Sequence, residues 1–403
     1  MADHPPQAPS RFASPHGAAS VHLDALRGIA ALGVCLNHIR DLLFKDYPQL
    51  PHHNAVITVL YFITGLGREW VMLFFVLSGY LVGGGVLRAI SRDRWSWSEY
   101  LLARLTRLYT VLIPALIFGG LIDLAGLHIF GAAGLYSGHN ENHTVNYPVA
   151  AHLTIPILLG NYAFLQGIYV PIFGSNGPLW SLPNEFWYYI AFPFLACACW
   201  SRLSAAKRVA NFLLLVAVLL FVHPTIALMI LIWLMGVAIH YLPPLPDIGV
   251  AGRRGLIAAA LLVTIAVLLW AKRTHTDASD YLLGVAITAL IYTILHGSRR
   301  LPNLAYRWTA HLLSRSSYTL YLVHLPLVVF LTAWLVPERM TPSLHSFLLG
   351  FALFATVFCY AQLVWFFFEK RTDSLRSWLK PLIFRPWRNV SPDAARPETV
   401  TPA

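Results

Sequence analysis

The chain has 403 residues, of which 57% are hydrophobic and only 12% are charged. Soluble domains usually carry about 25% charged residues, so the composition excludes an ordinary soluble protein and predicts a polytopic membrane protein. The formal net charge of +11 is compatible with nucleic-acid binding, but membrane topology explains it better, and we expect no nucleic-acid partner.

The first 21 residues are rich in Pro, Ser, Ala and His and lack the charged and then apolar pattern of a signal peptide. We predict that residues 1–21 form a disordered cytoplasmic tail before an uncleaved first span. A membrane domain is predicted over residues 22–378, and a second cytoplasmic tail over residues 379–403.

Apolar runs of nearly 20 residues mark membrane-spanning helices. Ten such runs follow one another along the chain, which predicts an all-α fold with about ten transmembrane helices. They cover residues 24–44, 70–88, 107–127, 184–200, 209–223, 225–242, 255–271, 280–297, 314–336 and 347–368.

The distribution of Lys and Arg predicts the orientation of these helices. If the N-terminus is cytoplasmic, the cytoplasmic segments hold 23 of the 29 basic residues and the opposite segments hold six. Cytoplasmic loops carry an excess of Lys and Arg, so this orientation is favoured, with both termini cytoplasmic.

One segment does not fit a simple span. Residues 129–180 must begin and end on the outer side, yet their second half is apolar and is interrupted by Pro156, Gly160 and Pro171. Broken backbone at membrane depth survives only where protein or water satisfies its polar groups. We therefore predict a re-entrant or surface-lying segment that lines a cavity.

The first predicted helix carries ionisable residues on one stripe. Asp24, Arg27 and His38 share a face at 100° per residue, and such residues inside a membrane usually face the bundle interior or a watery cavity. A histidine there can act as a general base. The alternative is a packed histidine bonded to a neighbouring helix.

Further polar residues lie at the ends of later spans. Arg104 and Arg107 share a face at a cytoplasmic helix end and can bind phosphate, although positive-inside anchoring also explains them. Glu185 lies in the first turn of a span, where the helix dipole favours a carboxylate. We expect it near the outer rim or just within the membrane, where it could accept a hydrogen bond from a substrate.

A fourth stretch, "SYTLYLVHLPLV", places Ser317, Tyr321 and His324 on one helical face. Pro326 follows and frees a backbone carbonyl of that helix. Two intramembrane histidines are compatible with haem ligation, but a single histidine per helix disfavours it.

These stretches resemble the acyltransferase-3 family of integral membrane acyltransferases, many of which are glycan O-acetyltransferases. The matching text is "LDALRGIAALGVCLNH", "FFVLSGYLV", "RLTRLY", "LWSLPNEFWYYIAFP", "SYTLYLVHLP" and "WFFFEK", in an order that covers residues 22 to 378. Two pieces depart from the commoner pattern: "PNEFW" stands where many members have "VEEQF", and "VHLP" replaces "WHWP". Both departures concern acceptor specificity more than the reaction class.

The resemblance implies a division of labour among these residues. The family's arginine and histidine of the first span fall on Arg27 and His38, and its Arg-x-x-Arg pair, implicated in acyl-CoA use, falls on Arg104 and Arg107. Its acidic residue and its late histidine fall on Glu185 and His324, which would act with His38 in catalysis. Asp24, Ser317 and Tyr321 would support the helix faces.

The implied reaction moves an acyl group from cytoplasmic acyl-CoA, expected to be acetyl-CoA, to a hydroxyl of an envelope or lipid-linked glycan. No tightly bound cofactor or metal is expected, since a thioester is already activated. The expected location is the bacterial inner membrane, with membrane lipids as surroundings. A proton-coupled transporter is the main alternative, because mid-span histidines and a broken outer segment suit one too; a non-catalytic scaffold is the third.

Overall fold

The computed structural model describes residues 17–132, 134–138, 142–274, 276–298 and 301–383. Within those ranges the chain forms helices joined by turns and by one long irregular segment, and no β-strand. The helices, numbered in chain order, are α1 (Ala18–Leu43), α2 (Ala55–Thr64), α3 (Gly67–Ser91), α4 (Trp97–Phe130), α5 (Ile155–Tyr162), α6 (Leu182–Cys199), α7 (Ala205–Phe221), α8 (Pro224–Ala238), α9 (Gly249–Thr274), α10 (Asp277–Gly297), α11 (Leu304–Arg315), α12 (Ser317–Leu335), α13 (Leu344–Phe367) and α14 (Thr372–Ile383).

The all-α membrane fold predicted from composition is confirmed. In the described ranges, eight helices are long and apolar enough to cross a membrane: α1, α3, α4, α8, α9, α10, α12 and α13. The other two predicted spans are present as α6 and α7, which are outside this set. Helix α6 opens with the polar pair Asn184 and Glu185, and α7 has only 17 residues.

Two predicted domain boundaries differ from the helix ends. Helix α1 begins at Ala18, inside the stretch predicted as a tail, and its first two residues are buried. Helix α14 runs through residue 379 to Ile383, so the predicted C-terminal tail begins inside a helix. The remaining tail residues, 1–16 and 384–403, lie outside the described ranges.

Helix α1 lies at the centre of the bundle. It packs against α3, α11, α12 and α13. Gly28 permits the close approach of α11, because a Cβ at this position would overlap Leu313. Burial on several sides explains why α1 can carry charged residues that would be costly against lipid.

Helix α3 changes its hydrogen-bond pattern within "FFVLSGYLV". Residues Gly79–Gly83 form a π-helical segment, a feature frequent at functional sites. Gly79 contacts the backbone of α8 at Trp233, and Gly236 of α8 in turn contacts the backbone of α3. A methyl group at either glycine would collide with a carbonyl oxygen, so the two helices meet backbone to backbone.

The irregular segment between α4 and α6 is held by buried polar side chains. Asn161 and Gln166 are fully buried and bond the backbone of this segment at Pro171 and Leu179. Asp123 of α4 accepts two hydrogen bonds of 2.7 Å from the backbone nitrogen and hydroxyl of Ser175. The backbone groups are therefore satisfied by protein, as predicted for a segment that lines a cavity.

Candidate functional site

A cavity of about 200 Å³ lies between α1, α3, α4, α6 and α12 and holds most of the predicted charged residues. Arg27 of α1 lines it, and its guanidinium donates to the Asp24 carboxylate at 3.0 Å. Arg104 and Arg107 line it from α4, and Glu185 lines it from α6. Arg27 of the predicted stripe of α1 and the predicted arginine pair of α4 therefore border one space, called here the arginine cavity.

The two arginines of α4 have different partners. Arg107 donates a hydrogen bond to the buried Glu369 carboxylate, which also accepts from the backbone nitrogen of Thr319 at 3.2 Å. Among the described residues, Arg104 has no carboxylate partner, and its guanidinium lies 5.8 Å from the ring centre of Tyr189. An anion in this cavity would find Arg104 unpaired, whereas the charge of Arg107 is already neutralised.

Glu185 lies beside the two arginines of α4, a neighbourhood that the sequence did not predict. Its Oε1 accepts a hydrogen bond from the Tyr189 hydroxyl, one turn along α6, and a longer one from Ser78 Oγ at 3.5 Å. Ser78 immediately precedes the π-helical segment of α3 and also accepts from the Trp233 indole at 3.1 Å. The carboxylate therefore belongs to the arginine cavity and is tied to the irregular part of α3.

Two further cavities adjoin the arginine cavity. One of about 430 Å³ is lined by Arg88, Arg94, Trp95 and Tyr100, and it shares Arg104 and two apolar residues with the arginine cavity. The other, of about 170 Å³, contains His38 and shares Val71 and Tyr321 with the arginine cavity. Three cavities thus lie in series from a cluster of cationic side chains to the histidine of α1.

His38 lies near the end of α1, five residues before Leu43, which is about 7.5 Å along the helix axis. It lies eleven residues, or about 16 Å, beyond Arg27. The sequence placed His38 inside the first span, and in the structure it lies in the last two turns of α1. Residues of the irregular segment, Pro178 and Trp180, line its cavity.

His324 of α12 is fully buried and faces His38, with ring centres 5.2 Å apart. Its Nδ1 bonds the Leu320 carbonyl oxygen at 2.8 Å, and since a carbonyl only accepts, the proton lies on Nδ1. Its Nε2 is buried without a partner. A neutral ring therefore offers an unused acceptor beside His38.

Two residues of the predicted face of α12, Tyr321 and Ser317, make different contacts. The Tyr321 hydroxyl bonds Ser181 Oγ at 2.8 Å and the Pro178 carbonyl at 3.1 Å, so it ties α12 to the irregular segment. Ser317 lines the arginine cavity, and its hydroxyl donates to the Ser314 carbonyl at 2.7 Å.

The Leu322 carbonyl, which Pro326 leaves without a bond inside the helix, accepts a hydrogen bond from another segment. Proline lacks the N–H that would bond the Leu322 carbonyl four residues earlier. Asn176 of the irregular segment donates its Nδ2 to that oxygen at 2.8 Å. This contact joins the helix that carries His324 to the segment that lines the His38 cavity.

The comparison with protein families decides the classification. A family model described as an acyltransferase domain, that of acyltransferase family 3, matches residues 21–366. The chain belongs to the acyltransferase-3 family. It is 31% identical over 182 residues to "Acyltransferase MdmB" of Streptomyces mycarofaciens, covering 45% of this chain and 39% of that protein.

A second relative is a protein of Haemophilus influenzae that is described as uncharacterized. It is 25% identical to this chain over 138 residues, covering 34% of this chain and 51% of the relative. The chain therefore matches about half or less of the length of these curated relatives. No solved structure matches it.

Two residues beside the family's histidine were missed by the sequence analysis. Thr144, from the irregular segment, has its Oγ1 at 3.3 Å from His38 Nδ1 and donates to Asp41 Oδ2 at 2.6 Å. Asp41 is buried in α1 three residues after His38. The sequence contains the signal for Asp41, an acidic residue three positions after His38 on the same helix, but nothing in the sequence indicates Thr144.

Asp41 also belongs to a group of charged residues at the end of α1. Single ligand atoms of Asp41, Asp46 and His143 lie within 4.8 Å of one another, close enough to hold a cation. Arginines already balance both carboxylates: Arg40 lies 3.8 Å from Asp41, and Arg339 lies 2.7 Å from Asp46. This group is therefore explained by ion pairing without a metal.

The ionisation of Asp46, outside the membrane-spanning segments, reflects this pairing. Burial works against ionisation of the carboxyl group, but the hydrogen bonds and charge of Arg339 outweigh it, with smaller help from His143 and Arg40. The pKa of Asp46 is therefore held below its ordinary value. The pair lies at the C-terminal end of α1, where Arg339 also donates to the Phe44 carbonyl at 2.8 Å.

Proposed function

We propose that this protein is a membrane O-acyltransferase that transfers an acyl group from cytoplasmic acyl-CoA to a hydroxyl group of an envelope or lipid-linked glycan. Acetyl-CoA is the proposed donor, and the bacterial inner membrane, with both termini cytoplasmic, is the proposed location. The carrying observation is the series of three cavities that begins at Arg88, Arg94 and Arg104 and ends at His38. Membership of the acyltransferase-3 family supports the reaction class.

The first cavity suits the nucleotide part of the donor. Its volume of about 430 Å³ is bordered by three arginines and by the aromatic rings of Trp95 and Tyr100. Guanidinium groups bind phosphate oxygens bidentately, and aromatic rings stack on bases. Phosphates held at Arg104 would direct the pantetheine arm into the arginine cavity.

The pantetheine arm of the donor must then reach His38. The arginine cavity holds about 200 Å³ and is mostly apolar apart from its charged rim, which suits a thin chain with two amide groups. The axial distance from Arg27 to His38 is about 16 Å. The thioester would thus lie at the far end of α1 from the phosphates.

The proposed transfer balances without a metal. His38 takes the proton of the acceptor hydroxyl, and the oxygen forms a bond to the thioester carbonyl carbon. The carbon–sulfur bond breaks, and the proton passes from His38 to the sulfur, which leaves as free CoA thiol. His324 offers its unpaired Nε2 to the acceptor or to the protonated His38. In a second route, His38 carries the acyl group itself before passing it on.

The first experiment measures donor binding and acyl transfer in parallel. Full-length protein in native membranes, which supply endogenous glycan, receives acetyl-CoA labelled in the acetyl group; binding is measured on purified protein in nanodiscs. We expect His38→Ala to bind acetyl-CoA but to lower label transfer at least about 100-fold. Arg104→Ala should weaken binding, while Arg92→Ala, an exposed arginine outside the cavity, should match the wild type.

A shortened donor, acetyl-pantetheine, tests whether the first cavity binds the nucleotide part of acetyl-CoA. Acetyl-pantetheine lacks the phosphates, so Arg94→Ala and Arg104→Ala should lower the rate with acetyl-CoA by at least about tenfold and leave the rate with acetyl-pantetheine unchanged. Equal losses with both donors would contradict a phosphate role. Solute uptake without any release of CoA thiol would instead favour the transporter.

A further inference from the structure

The hydroxyl of Thr144 connects His38 to a buried carboxylate. Thr144 Oγ1 lies 2.6 Å from Asp41 Oδ2 and 3.3 Å from His38 Nδ1. Asp41 is 3% exposed, and it lies on the same helix as His38. The three groups form a chain that runs from the carboxylate through the hydroxyl to the ring.

The direction of the protons in this chain follows from its ends. An ionised carboxylate can only accept, so the Thr144 hydroxyl must donate to Asp41. The same oxygen then has only lone pairs to offer to His38, and Nδ1 must be the donor. The proton of a neutral His38 is therefore fixed on Nδ1, and Nε2 keeps the lone pair that a general base needs.

The turn that presents Thr144 is itself held in place. The Asn142 side chain accepts from the backbone nitrogens of Thr144 at 3.0 Å and Val145 at 2.7 Å. The backbone nitrogen of His143 donates to Asp41 Oδ2 at 2.9 Å, so the carboxylate receives two hydrogen bonds from this turn. A hydroxyl held by a closed turn is pre-organised, which is what the orientation of a catalytic base requires.

We propose that Asp41 and Thr144 are positioning residues that hold His38 in the tautomer with a free Nε2, an inference that rests on the proposed acyl transfer. Once His38 takes the acceptor proton, the cationic ring lies one hydroxyl away from the Asp41 carboxylate, which stabilises the charge. A carboxylate that orients a catalytic histidine in this way is known from serine hydrolases. Here a threonine from a segment more than 100 residues away stands between the two groups.

The test uses three substitutions in the hydrogen-bonded series Asp41–Thr144–His38 and one control substitution beside it. Thr144→Val keeps the shape and removes the hydroxyl, Thr144→Ser keeps the hydroxyl, and Asp41→Asn removes the charge. His143→Ala is the control, because the His143 side chain is 80% exposed and the substitution keeps the backbone nitrogen that donates to Asp41. Each protein is assayed in native membranes for CoA thiol release at saturating acetyl-CoA, and in nanodiscs for acetyl-CoA binding.

We expect Thr144→Val and Asp41→Asn to lower kcat by at least about tenfold with acetyl-CoA binding unchanged. Thr144→Ser should restore most of the rate, and His143→Ala should match the wild type. Melting temperatures within a few degrees of the wild type show that a loss is not one of folding; if Asp41→Asn fails to fold, the comparison of Val with Ser at position 144 decides.

Two outcomes would overturn the inference. One is a Thr144→Val protein as active as the wild type, and the other is an equal loss in the Ser and Val variants, which would point to packing rather than the hydroxyl. Absence of thiol release from the wild type itself is a different result. It would contradict the proposed function, and the two failures are therefore distinguishable.

Discussion

Asn176 replaces the hydrogen bond that Pro326 removes from α12, and this leads to a prediction on coupling. Asn176→Leu keeps a side chain of similar size and deletes the donor to the Leu322 carbonyl. In the Pro326→Ala background, residue 326 regains an N–H that can bond the same carbonyl within the helix. Asn176→Leu should therefore lower the free energy of unfolding of the wild type but hardly change that of the Pro326→Ala protein.

The size of the effect follows from burial and from the membrane. Leaving a buried carbonyl unpaired costs about 1–3 kcal/mol in soluble proteins, whereas hydrogen bonds between membrane helices average about 0.6 kcal/mol and reach about 1.7. Asn176 Oδ1 has no partner, so leucine also removes one unsatisfied acceptor. We expect a loss of about 1 kcal/mol in the free energy of unfolding, and less than about 0.3 kcal/mol with Pro326→Ala.

The assay is reversible unfolding of the four proteins of this cycle in mixed micelles by titration with sodium dodecyl sulfate. CoA thiol release, measured on the same variants, reports whether the segment that lines the His38 cavity has shifted. Equal losses for Asn176→Leu in both backgrounds would refute the reasoning. The proline would then not be the reason for the contact.

Three further predictions concern packing and ion pairs. Glu369→Ala should lower the free energy of unfolding by about 3 kcal/mol, because the half-buried Arg107 and the buried Thr319 lose their partner. Lys380→Ala, which breaks an exposed pair, should lower it by less than about 1 kcal/mol, and micelle unfolding measures both. Gly79→Ala should abolish monodisperse expression or lower the melting temperature, while Gly85→Ala, whose added methyl meets no backbone, should not. Because the pKa of Asp46 is lowered in the folded protein, its ion pair stabilises the fold at pH values above the ordinary pKa of an aspartate, and this stabilisation is lost as the pH falls below about 4. The melting temperature should therefore change less between pH 7 and pH 3 in Asp46→Asn than in the wild type.

Sequence periodicity predicted those parts of the site that lie on single helices. The stripe of α1 with Arg27 and His38, and the face of α12 with His324, depend only on spacing within one helix, which the sequence contains directly. The carbonyl freed by Pro326 was also predictable, because proline chemistry is local. These features survive any arrangement of the other helices.

Contacts between residues far apart in the chain could not be predicted from the sequence. Arg107 and Glu369 are 262 residues apart, and nothing in either neighbourhood specifies the other. The sequence therefore assigned Arg107 to phosphate binding on an equal footing with Arg104, although only Arg104 lacks a carboxylate partner. Glu185 was expected near the outer rim or just within the membrane, and its position beside Arg104 and Arg107 depends on contacts between helices that the sequence does not specify.

The irregular segment gives the clearest physical reason for this limit. Its fold is decided by where its backbone polar groups find partners, and those partners are single buried side chains such as Asn161, Gln166 and Asp123. Such side chains carry no periodic signal, yet Gln166 bonds the backbone beside Trp180, and Asn142 and Asp41 hold Thr144. The proposed role of His38 as a base oriented by Thr144 requires that this segment be rigid. Buried amides and carboxylates in an apolar surrounding supply that rigidity, because each lost hydrogen bond there leaves a group that water cannot reach.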